Sequence, residues 1–65
     1  MTQKEAIESL KGMWNSTKEI NGVKVRRRCW DNYQWQIVDS MDFKTANIIQ
    51  KFYYQKEIAN FIKNR

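Results

Sequence analysis

Asn21-Gly22 is the tightest constraint on what this chain can fold into. Both residues tolerate positive φ, and a type I′ turn needs that at both of its central positions. The pair therefore predicts a two-residue hairpin joining a short strand at about 17–20 to one at about 23–29. A second turn is expected near Trp30-Asp31-Asn32. With Asn32 left-handed in a three-residue loop, Cys29 faces Tyr33, Arg27 faces Trp35 and Val25 faces Ile37. Strand side chains alternate between faces. This register gathers Val23, Val25, Cys29, Tyr33, Trp35 and Ile37 on one side, with Arg27 among them. Lys24, Arg26, Arg28, Gln34 and Gln36 fall on the other. A two-residue Asp31-Asn32 turn would group the arginines with Trp35 and Ile37, so the longer loop is preferred.

Helices flank these strands. Thr2-x-x-Glu5 is a capping box, in which the threonine oxygen takes the Glu5 amide and the glutamate reaches back. Ala6, Ile7, Leu10, Met13 and Trp14 then recur at helical spacing. Gly12 weakens the last turn and Asn15-Ser16-Thr17 ends it; that triplet matches a glycosylation acceptor but reads as a loop. From about Asp42 to Asn64 no Pro or Gly interrupts the chain, which predicts one long helix capped by Ser40 or Asp42. Thr45, Ile48, Ile49, Phe52, Ala59 and Ile62 form one face of it. Tyr54, Ile58 and Phe61 form a second stripe, either core beneath helix one or a dimer or partner surface. The expected class is α+β, in the order α-β-β-β-α: a three-stranded antiparallel meander packed against an N-terminal helix and a long C-terminal helix. Residues 1–65 form one domain.

A 65-residue chain buries only roughly 60% of its unfolded surface. Cys29 is the only cysteine and there is no histidine, so neither a disulfide nor a Cys/His zinc site can staple it. Nine aromatic residues can supply the core instead. The N-terminus carries acids early and lacks an apolar h-region, and no run approaches the ~20 apolar residues of a membrane span. A cytoplasmic protein without membrane contact is expected.

Catalysis is not expected. Without histidine the usual general base is missing. Asp39 and Asp42 read as helix caps rather than a shared cation site. Cys29 beside three arginines has a route to a lowered pKa, but a core-facing thiol is the commoner arrangement. No glycine-rich phosphate loop, metal set or organic cofactor site stands out.

The formal charge of +5 is uneven. Residues 1–22 balance, residues 23–38 carry +3 and residues 39–65 carry +2. The densest segment is Val23-Lys24-Val25-Arg26-Arg27-Arg28-Cys29-Trp30. On a strand Lys24, Arg26 and Arg28 would share the open face at intervals of about 6–7 Å, similar to the phosphate repeat of a nucleic-acid strand. Guanidinium groups bind phosphate bidentately and read guanine edges, and Gln34 and Gln36 beside them suit adenine. The competing reading is a solvated face whose arginines stack on Trp30 or Trp35 and protect a sheet edge.

The segments Gly22–Trp30, Tyr33–Asp39 and Phe43-Lys44-Thr45-Ala46 resemble the three-stranded-sheet DNA-binding domains of plant ethylene-response factors and the arm-type domains of tyrosine integrases. Arg- and Trp-bearing strands and a Phe-x-Thr step into the packing helix carry the likeness, over about half the chain. The resemblance implies DNA contact by Arg26, Arg28 and Trp30 from the sheet. The order α-β-β-β-α is also that of double-stranded-RNA-binding domains, though their glycine-proline-x-histidine loop is absent.

The sequence thus predicts a non-catalytic basic binding domain, for nucleic acid and for DNA before RNA. Lys24, Arg26, Arg28 and Trp30 would carry binding, Gln34 and Gln36 would assist, and replacing Arg26 and Arg28 by Ala should leave folding intact. The alternative is a phage-type inhibitor or adaptor that binds an acidic host-protein surface, for example on a host nuclease or an anti-phage defence system. A small format and a Lys/Ile/Asn-rich composition prompt an origin in a phage or other mobile element. A homodimer through Tyr54, Ile58 and Phe61 is a third expectation.

Overall fold

A computed structural model describes residues 1–65. Its hairpin is the one that Asn21-Gly22 dictates. β1 (Ser16–Ile20) and β2 (Val23–Arg27) pair antiparallel, and the two turn residues sit at φ 51° and 77°. β3 (Trp35–Val38) pairs antiparallel with β2, setting Val25 opposite Ile37 and Arg27 opposite Trp35, the register expected from the alternation. The pairing ends sooner than expected, at Arg27, and residues 28–34 form a wider loop closed by the Arg28 amide donating to the Gln34 carbonyl at 2.9 Å.

The class is α+β, but the sheet has four strands rather than three, in the order β1-β2-β3-β4. β4 (Ile48–Phe52) is cut from the segment expected to be one long helix, and α2 spans only Gln55–Lys63. The reason is local. Ile48, Ile49, Phe52, Tyr53 and Tyr54 are β-branched or aromatic and fit a pleated surface. The absence of Pro and Gly permitted a helix there without favouring one. A register shift interrupts the β3–β4 ladder at its Ile37/Val38 end. The Phe43-Lys44-Thr45 step does not open a helix either. Asp42 accepts the amides of Lys44 and Thr45 at 3.0 and 3.3 Å and closes a turn.

α1 (Gln3–Leu10) starts at the predicted capping box: the Glu5 amide donates to Thr2 Oγ1 at 3.1 Å and the Thr2 amide to Glu5 Oε1 at 2.8 Å. It stops before Met13 and Trp14, because Gly12 turns the chain at φ 83°. Met13 still enters the core, whereas Trp14 turns out to solvent. α2 opens with the Tyr54 amide donating to Glu57 Oε1 at 3.1 Å.

Both helices contribute to one core with the sheet. Ala6 and Leu10 of α1 and Ile58, Ala59 and Ile62 of α2 pack with Ile20, Val23, Val25, Trp35 and Ile37. Ile58 is therefore wholly internal and cannot belong to a dimer surface with Tyr54 and Phe61. Phe61 is half-buried against Phe52, with centroids 5.9 Å apart, and only Tyr54 of the three is exposed. Asn21 Nδ2 donates to the Ile62 carbonyl at 2.8 Å and ties the hairpin turn to the end of α2. No helix is long and apolar enough to cross a membrane.

Candidate nucleic-acid interface

Cross-strand pairing places Thr17, Arg26, Gln36 and Lys51 in one row across the sheet, on the face away from the helices. This is the face expected to be open. The β3–β4 connection, residues 39–47, returns over it. Thr17 Oγ1 donates to the Met41 carbonyl at 2.6 Å. Arg26 Nη1 donates to the carbonyls of Phe43 and Ala46 at 2.9 and 3.0 Å, and its Nε to Gln36 Oε1 at 2.8 Å. Gln36 Nε2 donates to Asp31 Oδ2 and the Tyr33 carbonyl at 3.3 and 3.1 Å.

Arg26 is thus 1% exposed and Gln36 0%. Neither can meet a ligand, contrary to the expectation from strand alternation that both do. A guanidinium has five donors, and backbone carbonyls crossing the sheet satisfy it better than alternation alone foretold. Burial, with Arg28 nearby, lowers the Arg26 pKa from its ordinary value, but a guanidinium remains a cation. Asp39 fastens the covering segment, its carboxylate accepting the Asn47 amide at 2.8 Å and Asn47 Nδ2 at 3.1 Å. Those two bonds, the backbone one first, hold the Asp39 pKa below the usual carboxylate range. The amides of Lys44 and Thr45 do the same for Asp42.

The remaining predicted residues do not form one surface. Lys24 is half-buried and faces Glu19 across the ladder. Gln34 is drawn to Arg27, whose Nε and Nη2 donate to its Oε1 at 3.4 and 3.3 Å. Arg27 also donates to the Met13 carbonyl at 2.9 Å and lies between the rings of Trp14 and Trp35, 5.2 and 4.6 Å from their centroids. That is a structural clamp, partly screened from solvent. Arg28 reaches Asp31 at 3.7 Å and stands 5.8 Å from the Trp30 ring. Trp30 is the accessible member of the set, 68% exposed, with its ring edge-on to Phe43 at 5.8 Å. Cys29 is half-buried, and its amide donates to Asn15 Oδ1 at 2.8 Å.

A different group is exposed and contiguous. Lys51 is the one member of the cross-sheet row that emerges from under the connection, and its Nζ lies 5.0 Å from the Tyr33 ring. Tyr33 meets Tyr53 at 6.0 Å, Tyr53 meets Tyr54 at 4.8 Å, and Lys56 Nζ is 5.9 Å from Tyr54. All five side chains are exposed. The acid nearest in sequence, Glu57, is engaged with the Tyr54 amide. Sequence reasoning missed this surface because it set Tyr33 on the core face and residues 51–56 in a helix. The run Phe52-Tyr53-Tyr54 behind two isoleucines was the signal for a strand ending in exposed aromatics.

No known protein family, no curated protein and no solved structure matches this chain.

Proposed function

We propose that this chain is a nucleic-acid-binding domain that engages a flexible single strand through Tyr33, Lys51, Tyr53, Tyr54 and Lys56, with Trp30 and Arg28 as a secondary contact. The observation that carries this reading is the unbroken sequence of exposed tyrosine rings and lysine ammonium groups from Lys51 to Lys56. Single-strand binders combine cations that follow the backbone with rings on which bases stack, and stacking needs no particular sequence. The three tyrosines meet edge to face, which suits bases splayed out of a stack better than a regular duplex. The net charge of +5 favours a polyanion. Burial of Arg26 and Gln36 removes the groups that would have read a major groove.

The test is fluorescence anisotropy with labelled single-stranded DNA, single-stranded RNA and duplex DNA at two salt concentrations. Salt-sensitive binding to a single strand, stronger than to duplex, supports the reading and identifies the polymer. Absence of binding at low salt, where a basic surface shows its greatest affinity, would turn attention to an acidic protein partner, since exposed tyrosine and tryptophan are also typical of protein interfaces.

A further inference from the structure

The sheet has two free edges, and they differ. β1 carries Lys18 and Glu19, and its central residue is Lys18. β4 carries Ile48-Ile49-Gln50-Lys51-Phe52, with Ile48 43% and Ile49 67% exposed and only one charge. Alternate backbone amides and carbonyls of an edge strand point outward unpaired, a ready template for another strand. Proline, inward-pointing charge, a β-bulge or a covering element usually blocks such an edge. β4 has no proline, its irregularity is confined to the Ile48 end, and its one charge, Lys51, points to the face beside Tyr33. A cleft of about 240 Å³ adjoins its N-terminal end, lined by Ile49 with Ile37, Val38 and Phe61.

We propose that β4 pairs with β4 of a second copy of this chain, antiparallel about a two-fold axis through Gln50, to give one continuous sheet of two four-stranded halves. A two-fold axis normal to an antiparallel pair must pass through a residue facing its own counterpart, which leaves few registers. Centring on Lys51 sets two ammonium groups against each other, and the same objection applies to β1 centred on Lys18, since like charges directly opposed destabilise a pair. Centring on Gln50 pairs the stretch of residues 49–51. Ile49 faces the aliphatic stem of Lys51, and the two Gln50 side chains are neighbours that can hydrogen-bond, while Ile48, which partners Val38 past the register shift, and Phe52, which partners Trp35, lie on opposite faces and stay outside the pair. A C2 contact of this kind is self-complementary and closed, so it ends at a dimer.

The same axis keeps equivalent faces on the same side. Both Tyr33–Lys51 surfaces would then flank the new strand pair. The dimer does not depend on the nucleic-acid reading, and its test contains no nucleic acid, so the two can fail separately.

Sedimentation equilibrium of the full chain is expected to show a mass rising toward twice the monomer value with concentration. Gln50→Lys and Gln50→Glu, at an exposed position, should each weaken the dimer by about tenfold or more, because each opposes like charges at the axis. Mixing the two variants should restore association as a heterodimer, which a folding defect could not do. A chain that stays monomeric at all concentrations would overturn the proposal. So would a dimer indifferent to both substitutions, or two variants whose mixture does not reassociate.

Discussion

Arg26 Nε donates to Gln36 Oε1 at 2.8 Å, and both side chains are buried beneath the connection between β3 and β4. The pair turns the most basic stretch of the sequence into internal scaffolding. Its remaining bonds, to the carbonyls of Phe43 and Ala46 and from Gln36 to Asp31, join two loops to the sheet.

Arg26→Ala is therefore expected to damage folding rather than leave it intact. It strands Gln36 Oε1 and two carbonyls, each costing about 1–3 kcal/mol if left without a donor. The expected loss is about 3 kcal/mol or more. That is a large share of the roughly 3–10 kcal/mol that a domain of this length has available. Urea denaturation checks it, and a loss below about 1 kcal/mol would contradict the buried network.

Gly22→Ala tests the hairpin. An added Cβ would meet nothing within 4 Å, so only the positive φ of 77° opposes it. The expected cost is about 1–2 kcal/mol, the penalty for a left-handed L-residue, read as a lowered denaturation midpoint with an unchanged slope.

Acidification should loosen the connection over Arg26. Asp39 and Asp42 have lowered folded-state pKa values, caused first by backbone amides of Asn47 and Lys44 respectively. Stabilisation from a depressed carboxylate is fully present above the unfolded value of about 3.9 and is lost as pH falls through the lower folded value. The protection of the Asn47 amide, taken relative to its intrinsic exchange rate at each pH, should fall below about pH 4. Asp39→Asn should remove most of that pH dependence.

Much of the fold could be read from the sequence because it rests on local chemistry. Asn21-Gly22 fixes one turn, Thr2 and Glu5 start α1, and alternation from Val23 to Ile37 sets the β2–β3 register. What escaped depends on contacts between distant segments. Nothing near Arg26 in sequence announces that residues 39–47 cross it, so alternation alone leaves it on an open face. Periodicity alone could not separate helix from strand between Ile48 and Tyr54, because a run apolar on several sides satisfies both patterns. The same ambiguity hides the candidate surface, since Lys51 and Tyr53 meet Tyr33, and Tyr54 meets Tyr53, only when β4 is a strand.

Substitutions on that surface should separate charge from stacking. Lys51→Ala and Lys56→Ala should each flatten the salt dependence of single-strand binding by about 0.7 in the log–log slope, one phosphate contact apiece. Tyr53→Ala should cost about 1–3 kcal/mol of affinity with little change in that slope. All three sites are exposed, so the lysine variants should leave thermal unfolding nearly unaffected, while Tyr53→Ala also loses its edge-to-face contacts with Tyr33 and Tyr54 and should lower the midpoint slightly.

The most direct measurement is a titration of ¹⁵N-labelled protein with an unlabelled single-stranded oligonucleotide at low salt, followed amide by amide. The account predicts that the largest shifts cluster at Tyr33, Lys51, Tyr53, Tyr54 and Lys56, while Arg26 and Gln36, enclosed beneath residues 39–47, change little. Shifts centred instead on Trp14 and Arg27, or no shifts at all, would contradict it.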